Sequence, residues 1–159
     1  MIVALRSARR SSPKRTFVIL PLAAVAVELS SRRSPLRGGA AGIALMALGY
    51  ALYRHGGRYR SEHGGGGPGF VTEPSGLVTS GPYAVVRNPM YLGHLIFLGG
   101  LVALTRSPVA LAGLVIQGER FADRVAIDER RLADRFGDAY AEYLGRVPRW
   151  LPRLARRAG

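Results

Sequence analysis

The chain has 159 residues, a length that suits one domain, with 23 Lys and Arg against 10 Asp and Glu and a formal net charge of +13. It has no cysteine, which excludes disulfides, thiolate metal sites and cysteine nucleophiles, and its three histidines, His55, His63 and His94, lack metal-ligand spacing. So basic a chain suits nucleic acid, an anionic membrane surface or an anionic cofactor; the mean hydropathy of +0.10 and the alternation of apolar runs with basic clusters favour the membrane over nucleic acid.

Residues 1–15 are polar and basic, and residues 16–30 are apolar apart from Glu28. A connection at 31–37 carries Arg32, Arg33, Pro35 and Arg37. Residues 38–53 are apolar and rich in small side chains, among them Gly38, Gly39, Gly42 and Gly49, which suit close helix packing in lipid. The stretch 54–76 is rich in Gly and Pro and reads as a loop. Two further apolar runs, 91–105 and 108–118, are joined by a tight connection at Arg106, Ser107 and Pro108. From Glu119 the pattern becomes amphipathic, and seven of the ten acidic residues fall between Glu119 and Glu142.

These segments predict an all-α integral membrane protein, with four apolar helices in two hairpins and an amphipathic C-terminal helical region. One domain spans 1–159: an N-terminal hairpin at 1–53, a loop region at 54–90, and a second hairpin with the C-terminal region at 91–159. The runs are shorter than the roughly 20 residues of a full span, and flanking Arg side chains extend them by reaching the headgroups. The competing arrangement is a soluble bundle that buries the same helices. Residues 1–26 resemble a signal peptide loosely, but with three apolar segments following they read as an uncleaved anchor. The balance of Lys and Arg places the N-terminus, the central loop and the C-terminal region together on the cytoplasmic side, against the three Arg of the 31–37 loop.

Two stretches carry chemistry. In LVTSGPYAVVRNPMYLG, residues 77–93, Gly81-Pro82 makes a turn and Arg87-Asn88-Pro89 a second interruption. The segment therefore reads as irregular backbone at a membrane edge, gathering Tyr83, Arg87, Asn88 and Tyr91. In residues 119–152, Arg120, Arg124 and Asp128 share one helix face, and Leu132, Phe136 and Tyr140 continue an apolar stripe. Gly137 marks a bend, Asp138 caps a further turn, and Gly145 and Pro148 end the helix. Taken alone, the first stretch is equally an interfacial turn and the second a solvated helix laced with ion pairs.

Together the two stretches resemble the isoprenylcysteine carboxyl methyltransferase and phospholipid methyltransferase superfamily. That family carries LVTSG-x-Y-x-x-x-R-H-P-x-Y, then an acidic pair, then FG-x-x-Y-x-x-Y-x-x-x-VPR. The counterparts are LVTSGPYAVVRNPMY, Asp128-Glu129 and FGDAYAEYLGRVPRWLP, and the match covers residues 75–152. The resemblance implies S-adenosyl-L-methionine as cofactor and a lipophilic small molecule or lipid, delivered by the bilayer, as methyl acceptor. No nucleic acid and no protein partner are expected. By the same resemblance Ser75, Gly76, Leu77 and Val78 run beside the cofactor, Tyr83 contacts it, Asn88, Pro89, Met90 and Tyr91 line its pocket, and Asp128 with Glu129 supplies its acidic contacts. Arg124 falls where the family contacts substrate and is the candidate catalytic residue. Asn88 stands where His is usual, so an imidazole base is impossible there, and Asp128 stands in place of Glu.

The chemistry agrees with that assignment. The cofactor's ammonium needs an anionic partner, which Asp128 or Glu129 can be. Arg87 either forks onto its carboxylate or braces the turn. The sulfonium already activates the methyl group, so alignment and exclusion of water are what a protein must add. His94, on an apolar helix, is more simply a hydrogen-bonded structural residue than a base. Two other readings remain open at this level: a membrane reductase of a related helical fold, and a non-catalytic basic membrane protein. No G-x-G-x-x-G turn follows a strand pattern, so no Rossmann domain is expected.

Overall fold

The computed structural model describes residues 12–31, 39–66 and 73–151. The basic segment up to residue 11, the Arg-bearing connection at 32–38 and the tail with Arg153, Arg156 and Arg157, on which the expected orientation partly rests, lie outside the described residues.

Among the described residues every regular element is helical. In chain order they are α1 (Ser12–Lys14), a π-helical turn (Arg15–Ile19), α2 (Leu20–Ser30), α3 (Gly39–Glu62), α4 (Pro82–Val85), α5 (Pro89–Thr105) and α6 (Pro108–Arg146). Three of them begin with a proline at the first helical position, where the missing N–H costs nothing and the fixed φ already suits a helix.

The centre of the fold is the antiparallel pair α3 and α5. Gly42 meets Leu104, Gly49 meets Phe97 and Gly93, and Gly56 meets Pro89 and Met90, so the chains run in opposite directions along one seam. The contact is backbone to backbone. A methyl carbon added at Gly93 would lie 2.6 Å from the Gly49 carbonyl oxygen, and one at Gly100 only 2.7 Å from the Met46 nitrogen. The glycines at 42, 49 and 56 recur every seven residues, which keeps them on one face over two turns each. The small residues expected to favour close packing at Gly42 and Gly49 do so.

α3 extends well past residue 53, where the sequence pattern predicts a loop. Gly56 is the reason, because its bare backbone lets the helix lie against Pro89 and Met90. The helix ends only at His63 and Gly64, the latter with φ +83°. Within 77–91, α4 adds one helical turn to a stretch expected to be wholly irregular.

The α5–α6 connection is as tight as expected. Arg106 is left-handed (φ 51°), and Thr105 Oγ1 donates to Leu101 O at 2.8 Å while accepting from the Ser107 backbone N–H at 3.3 Å. α6 unites the last apolar run and the amphipathic region in one element. Its buried residues, Ala110, Gly113, Gln117, Phe121, Val125 and Asp128, fall three or four apart along one stripe. The expected bend is at Gly137, whose φ of 49° and ψ of −123° only glycine adopts readily. Ala24, Phe97, Leu98, Leu101 and Ala110 form the core between α2, α5 and α6. Phe17, in the π-helical turn, stacks on His94 at 4.6 Å between centroids and meets Phe97 edge-on at 4.8 Å.

Among the described residues no helix is long and apolar enough to cross a membrane. The four expected apolar segments are helical and pack antiparallel, but each is short for a span.

Candidate functional site

The two chemical stretches meet in one cleft at the end of the bundle where α3 ends and α5 begins. Including its open mouth, the cleft encloses about 610 Å³. Gly76, Leu77, Val78, Tyr83, Asn88, Met90 and Tyr91 come from one stretch, and Asp128, Glu129, Leu132, Tyr140 and Tyr143 from the other. The α3 seam sets their approach, because Gly56 brings the end of α3 against Pro89 and Met90.

Asp128 is buried, and its Oδ2 accepts the Tyr91 hydroxyl at 2.9 Å. Glu129, one residue on, turns to a different task. Arg87 Nη2 lies 3.2 Å from Glu129 Oε1, and Arg149 holds the same carboxylate from its other side through Nε at 3.3 Å and through Nη2. The Asn88 amide donates to Glu129 Oε1 at a long 3.5 Å.

Arg87 does more than pair with Glu129. Its Nη1 donates to Leu144 O and Val147 O, each at 3.2 Å, and its backbone N–H donates to Pro148 O at 2.9 Å. Of its two expected roles, bracing is the one the geometry displays. The carbonyls it satisfies are those left unpaired where α6 ends. Glu129, Arg87 and Arg149 therefore tie the C-terminal segment to the turn before α5 and close one side of the cleft.

Tyrosines form the rest of the wall. The Tyr83 hydroxyl donates to Gly56 O at 3.3 Å, and the Tyr143 hydroxyl donates to Tyr83 O at 2.7 Å. Burial pushes the Tyr83 phenol up to about 12, with the Arg60 charge opposing it. Burial, then the nearby Glu129 charge, raises Tyr140 to about 12. Tyr143 is raised as well, chiefly by burial. All three phenols stay neutral and serve as hydrogen-bond donors at any physiological pH.

Of the residues expected to hold a cofactor, Gly76, Leu77, Val78, Tyr83, Asn88, Met90, Tyr91, Asp128 and Glu129 line the cleft. Ser75 does not. It is exposed, and its hydroxyl donates to Gly64 O at 3.2 Å, which fixes the loop beside the cleft. Pro89 does not reach the cleft either. It is buried against Gly56. Arg124 lies outside the lining, one turn before Asp128 on α6, within electrostatic reach of Tyr91 and His94. Among the described residues no cluster of three His, Cys, Asp or Glu could hold a metal.

Sequence reasoning passed over Arg60, Gly65 and Pro74 as wall residues, and it read Leu132 and Tyr140 as an apolar stripe without placing them at the cleft. Nothing local marks Arg60. Only the antiparallel packing of α3 on α5 brings it beside Met90. Leu132 and Tyr140 had a signal in their helical spacing, and the Gly137 kink is what turns Tyr140 and Tyr143 inward.

A family profile described as phospholipid methyltransferase matches residues 38–138. Among curated proteins, the chain is 39% identical over 77 residues to protein-S-isoprenylcysteine O-methyltransferase B of Arabidopsis thaliana, covering 48% of this chain and 39% of that protein. It is 38% identical over 80 residues to the cobalt-zinc-cadmium resistance protein CzcN of Cupriavidus metallidurans, covering 50% of this chain and 37% of that protein. It is also 38% identical over 77 residues to protein-S-isoprenylcysteine O-methyltransferase of Homo sapiens, covering 48% and 27%. The chain thus spans about two fifths or less of the length of these relatives. No solved structure matches it. With nearly two thirds of its length inside the matched profile, the chain belongs to the phospholipid methyltransferase family.

Proposed function

We propose that the chain transfers a methyl group from S-adenosyl-L-methionine to a lipophilic acceptor delivered by the bilayer. The observation that carries this reading is the meeting of Tyr91 with Asp128 in the wall of a single cleft. The groups present fit the cofactor. Asp128 is a buried carboxylate of the right sign for an ammonium, and a carboxylate accepts up to about four hydrogen bonds, of which Tyr91 uses one. Leu77, Val78, Met90 and Leu132 offer apolar surface for the rest of the molecule. The cleft volume lies within the range of small-molecule sites.

When bound, the cofactor supplies a methyl group already activated by its sulfonium. Asp128 holds the ammonium, and Tyr91 holds Asp128 in place. Glu129 acts at one remove, anchoring Arg87 and Arg149 so that the C-terminal segment seals the cleft against water. Arg124 orients the acceptor from the adjoining turn of α6. The relatives named for protein-S-isoprenylcysteine O-methylation favour an O-methyl acceptor on a lipophilic molecule.

The reading includes integral membrane placement with the cleft at the cytoplasmic side. Exposed apolar side chains support it: Ile19, Leu22, Leu29, Leu48, Val115 and Ile116 are each half or more exposed, a poor arrangement in water. α5 has 17 residues, about 25 Å of helix, at the lower end of what spans a bilayer. Arg54, Arg58 and Arg60 gather at the cleft end of α3.

Calorimetry of the detergent-purified full chain tests the chemistry. S-adenosylmethionine and S-adenosylhomocysteine should bind, and a reduced nicotinamide nucleotide should not. Binding of the nicotinamide alone would overturn the reading in favour of a reductase. Labelling of single cysteines in this cysteine-free chain tests the placement. Ser61→Cys and Arg106→Cys, both exposed, should react from opposite sides of sealed vesicles.

A further inference from the structure

Beside the cleft lies a second one, of about 660 Å³ with its open mouth, along the last turns of α3. Its walls are Tyr53, Arg54, Gly57, Arg58, Arg60, Ser61, Glu62 and Met90. Arg60 and Met90 also line the first cleft, so one residue layer separates the two. Three guanidinium groups face a single carboxylate, Glu62. Arg54 and Arg58 are exposed, and among the described residues no ion pair engages either of them.

The arginines continue a line that starts in apolar residues. Ile43, Ala47, Tyr50, Arg54 and Arg58 are spaced four, three, four and four apart, which sets them along one helix face, and all five are exposed. The stripe is apolar for its first three members and cationic for its last two. A helix face of that order matches a molecule with an apolar tail and a negative head. Arginine is also the side chain best suited to hold a phosphate or carboxylate, through paired N–H donors in a planar fork.

We infer that this second cleft is a binding site for the anionic head group, phosphate or carboxylate, of an amphiphile whose tail lies along the apolar face of α3. The inference rests on the proposed methyl-transfer reading to this extent: the head group, once seated, stands across the Arg60–Met90 wall from the donor cleft, where an acceptor must be presented. Arg54 and Arg58 supply the charge. Gly57 leaves the wall open between them, since even an added methyl carbon there would make only ordinary contact with Met90, at 3.5 Å.

The test compares the full-length wild type in a neutral detergent with Arg54→Ala/Arg58→Ala and with Arg54→Lys/Arg58→Lys. The probes are dodecyl phosphate, inorganic phosphate, dodecyltrimethylammonium and S-adenosylhomocysteine. Dodecyl phosphate should bind wild type, and its affinity should fall roughly ten- to a hundredfold in the double alanine variant, the loss expected for charge-assisted hydrogen bonds. The lysine pair should recover part of it. Tighter binding of dodecyl phosphate than of inorganic phosphate assigns the anion to an amphiphile. Equal binding assigns it to a free anion, and the anion site stands on either result. Equal affinity of wild type and the alanine variant for dodecyl phosphate, or equal affinity of wild type for the cationic amphiphile, overturns the inference. S-adenosylhomocysteine reports on the donor cleft separately. If it fails to bind wild type while dodecyl phosphate binds, the methyl-transfer reading fails and the anion site stands.

Discussion

The Tyr91 hydroxyl donates to Asp128 Oδ2 at 2.9 Å, joining the first turn of α5 to the middle of α6 across 37 positions of sequence. The bond orients a buried carboxylate toward the cleft. Asp128→Ala should therefore weaken S-adenosylhomocysteine binding by about 1–3 kcal/mol, the range for a hydrogen bond to a charged group. Tyr91→Phe, which keeps the ring and loses only the hydroxyl, should cost less. Calorimetry on both variants, with melting temperature as the fold control, checks the order. Unchanged affinity in Asp128→Ala with an intact fold would remove Asp128 from the donor site.

Glu129 should behave differently from its neighbour. It is only 11% exposed and faces Arg87, which is 12% exposed. Glu129→Gln leaves that guanidinium without its counter-charge, at a cost of up to about 3 kcal/mol of stability. The melting temperature should fall first, with donor affinity falling as a consequence. Loss of affinity at full thermal stability would mean that Glu129 touches the donor directly.

Gly93 and Gly99 lie on the same helix and make a controlled pair. A methyl carbon at Gly93 would strike the Gly49 carbonyl at 2.6 Å, whereas one at Gly99 meets nothing within 4 Å. Gly93→Ala should destabilise by about 1–3 kcal/mol through overpacking against backbone that cannot yield. Gly99→Ala should be neutral or slightly stabilising, because alanine favours the helix. Melting temperatures of the two variants settle the comparison.

Alkali should unfold the protein in a defined window. Tyr83 titrates near 10.0 when unfolded, while burial holds it at about 12 in the fold. Between those values the folded state keeps a proton that the unfolded state has released, so stability falls as pH rises from 10 toward 12 and is complete below 10. Tyr140 adds to the same window. Melting temperature followed from pH 8 to 12 should drop steeply in wild type and less steeply in Tyr83→Phe/Tyr140→Phe.

Arg124 separates acceptor from donor. If it orients the acceptor, Arg124→Ala and Arg124→Lys should both depress turnover while S-adenosylhomocysteine affinity holds nearly constant. A surface ion pair would instead be worth about 0.3–0.5 kcal/mol, and lysine would restore normal turnover. Loss of donor binding in Arg124→Ala would move the residue to the donor's carboxylate.

The sequence by itself determined the helical class, the order of the segments and most of the cleft. Apolar runs separated by Gly and Pro leave little choice but helices. A glycine at 137 and the Val147-Pro148 pair marked the kink and the end of α6 because these residues restrict local dihedrals directly. The two chemical stretches were legible because each is a compact run of unusual side chains. What the tertiary structure alone decided is partnership. Asp128 and Glu129 are adjacent and both acidic, and no sequence pattern says that one meets Tyr91 and the other Arg87 and Arg149. Arg60 joined the cleft, and Arg54 and Arg58 formed a second one, because α3 runs on past the expected loop, and it does so because Gly56 fits against Pro89 and Met90. Local propensity acts over a few residues, whereas such pairings depend on the register of two helices distant in sequence, which is set by where the glycines allow the backbones to touch.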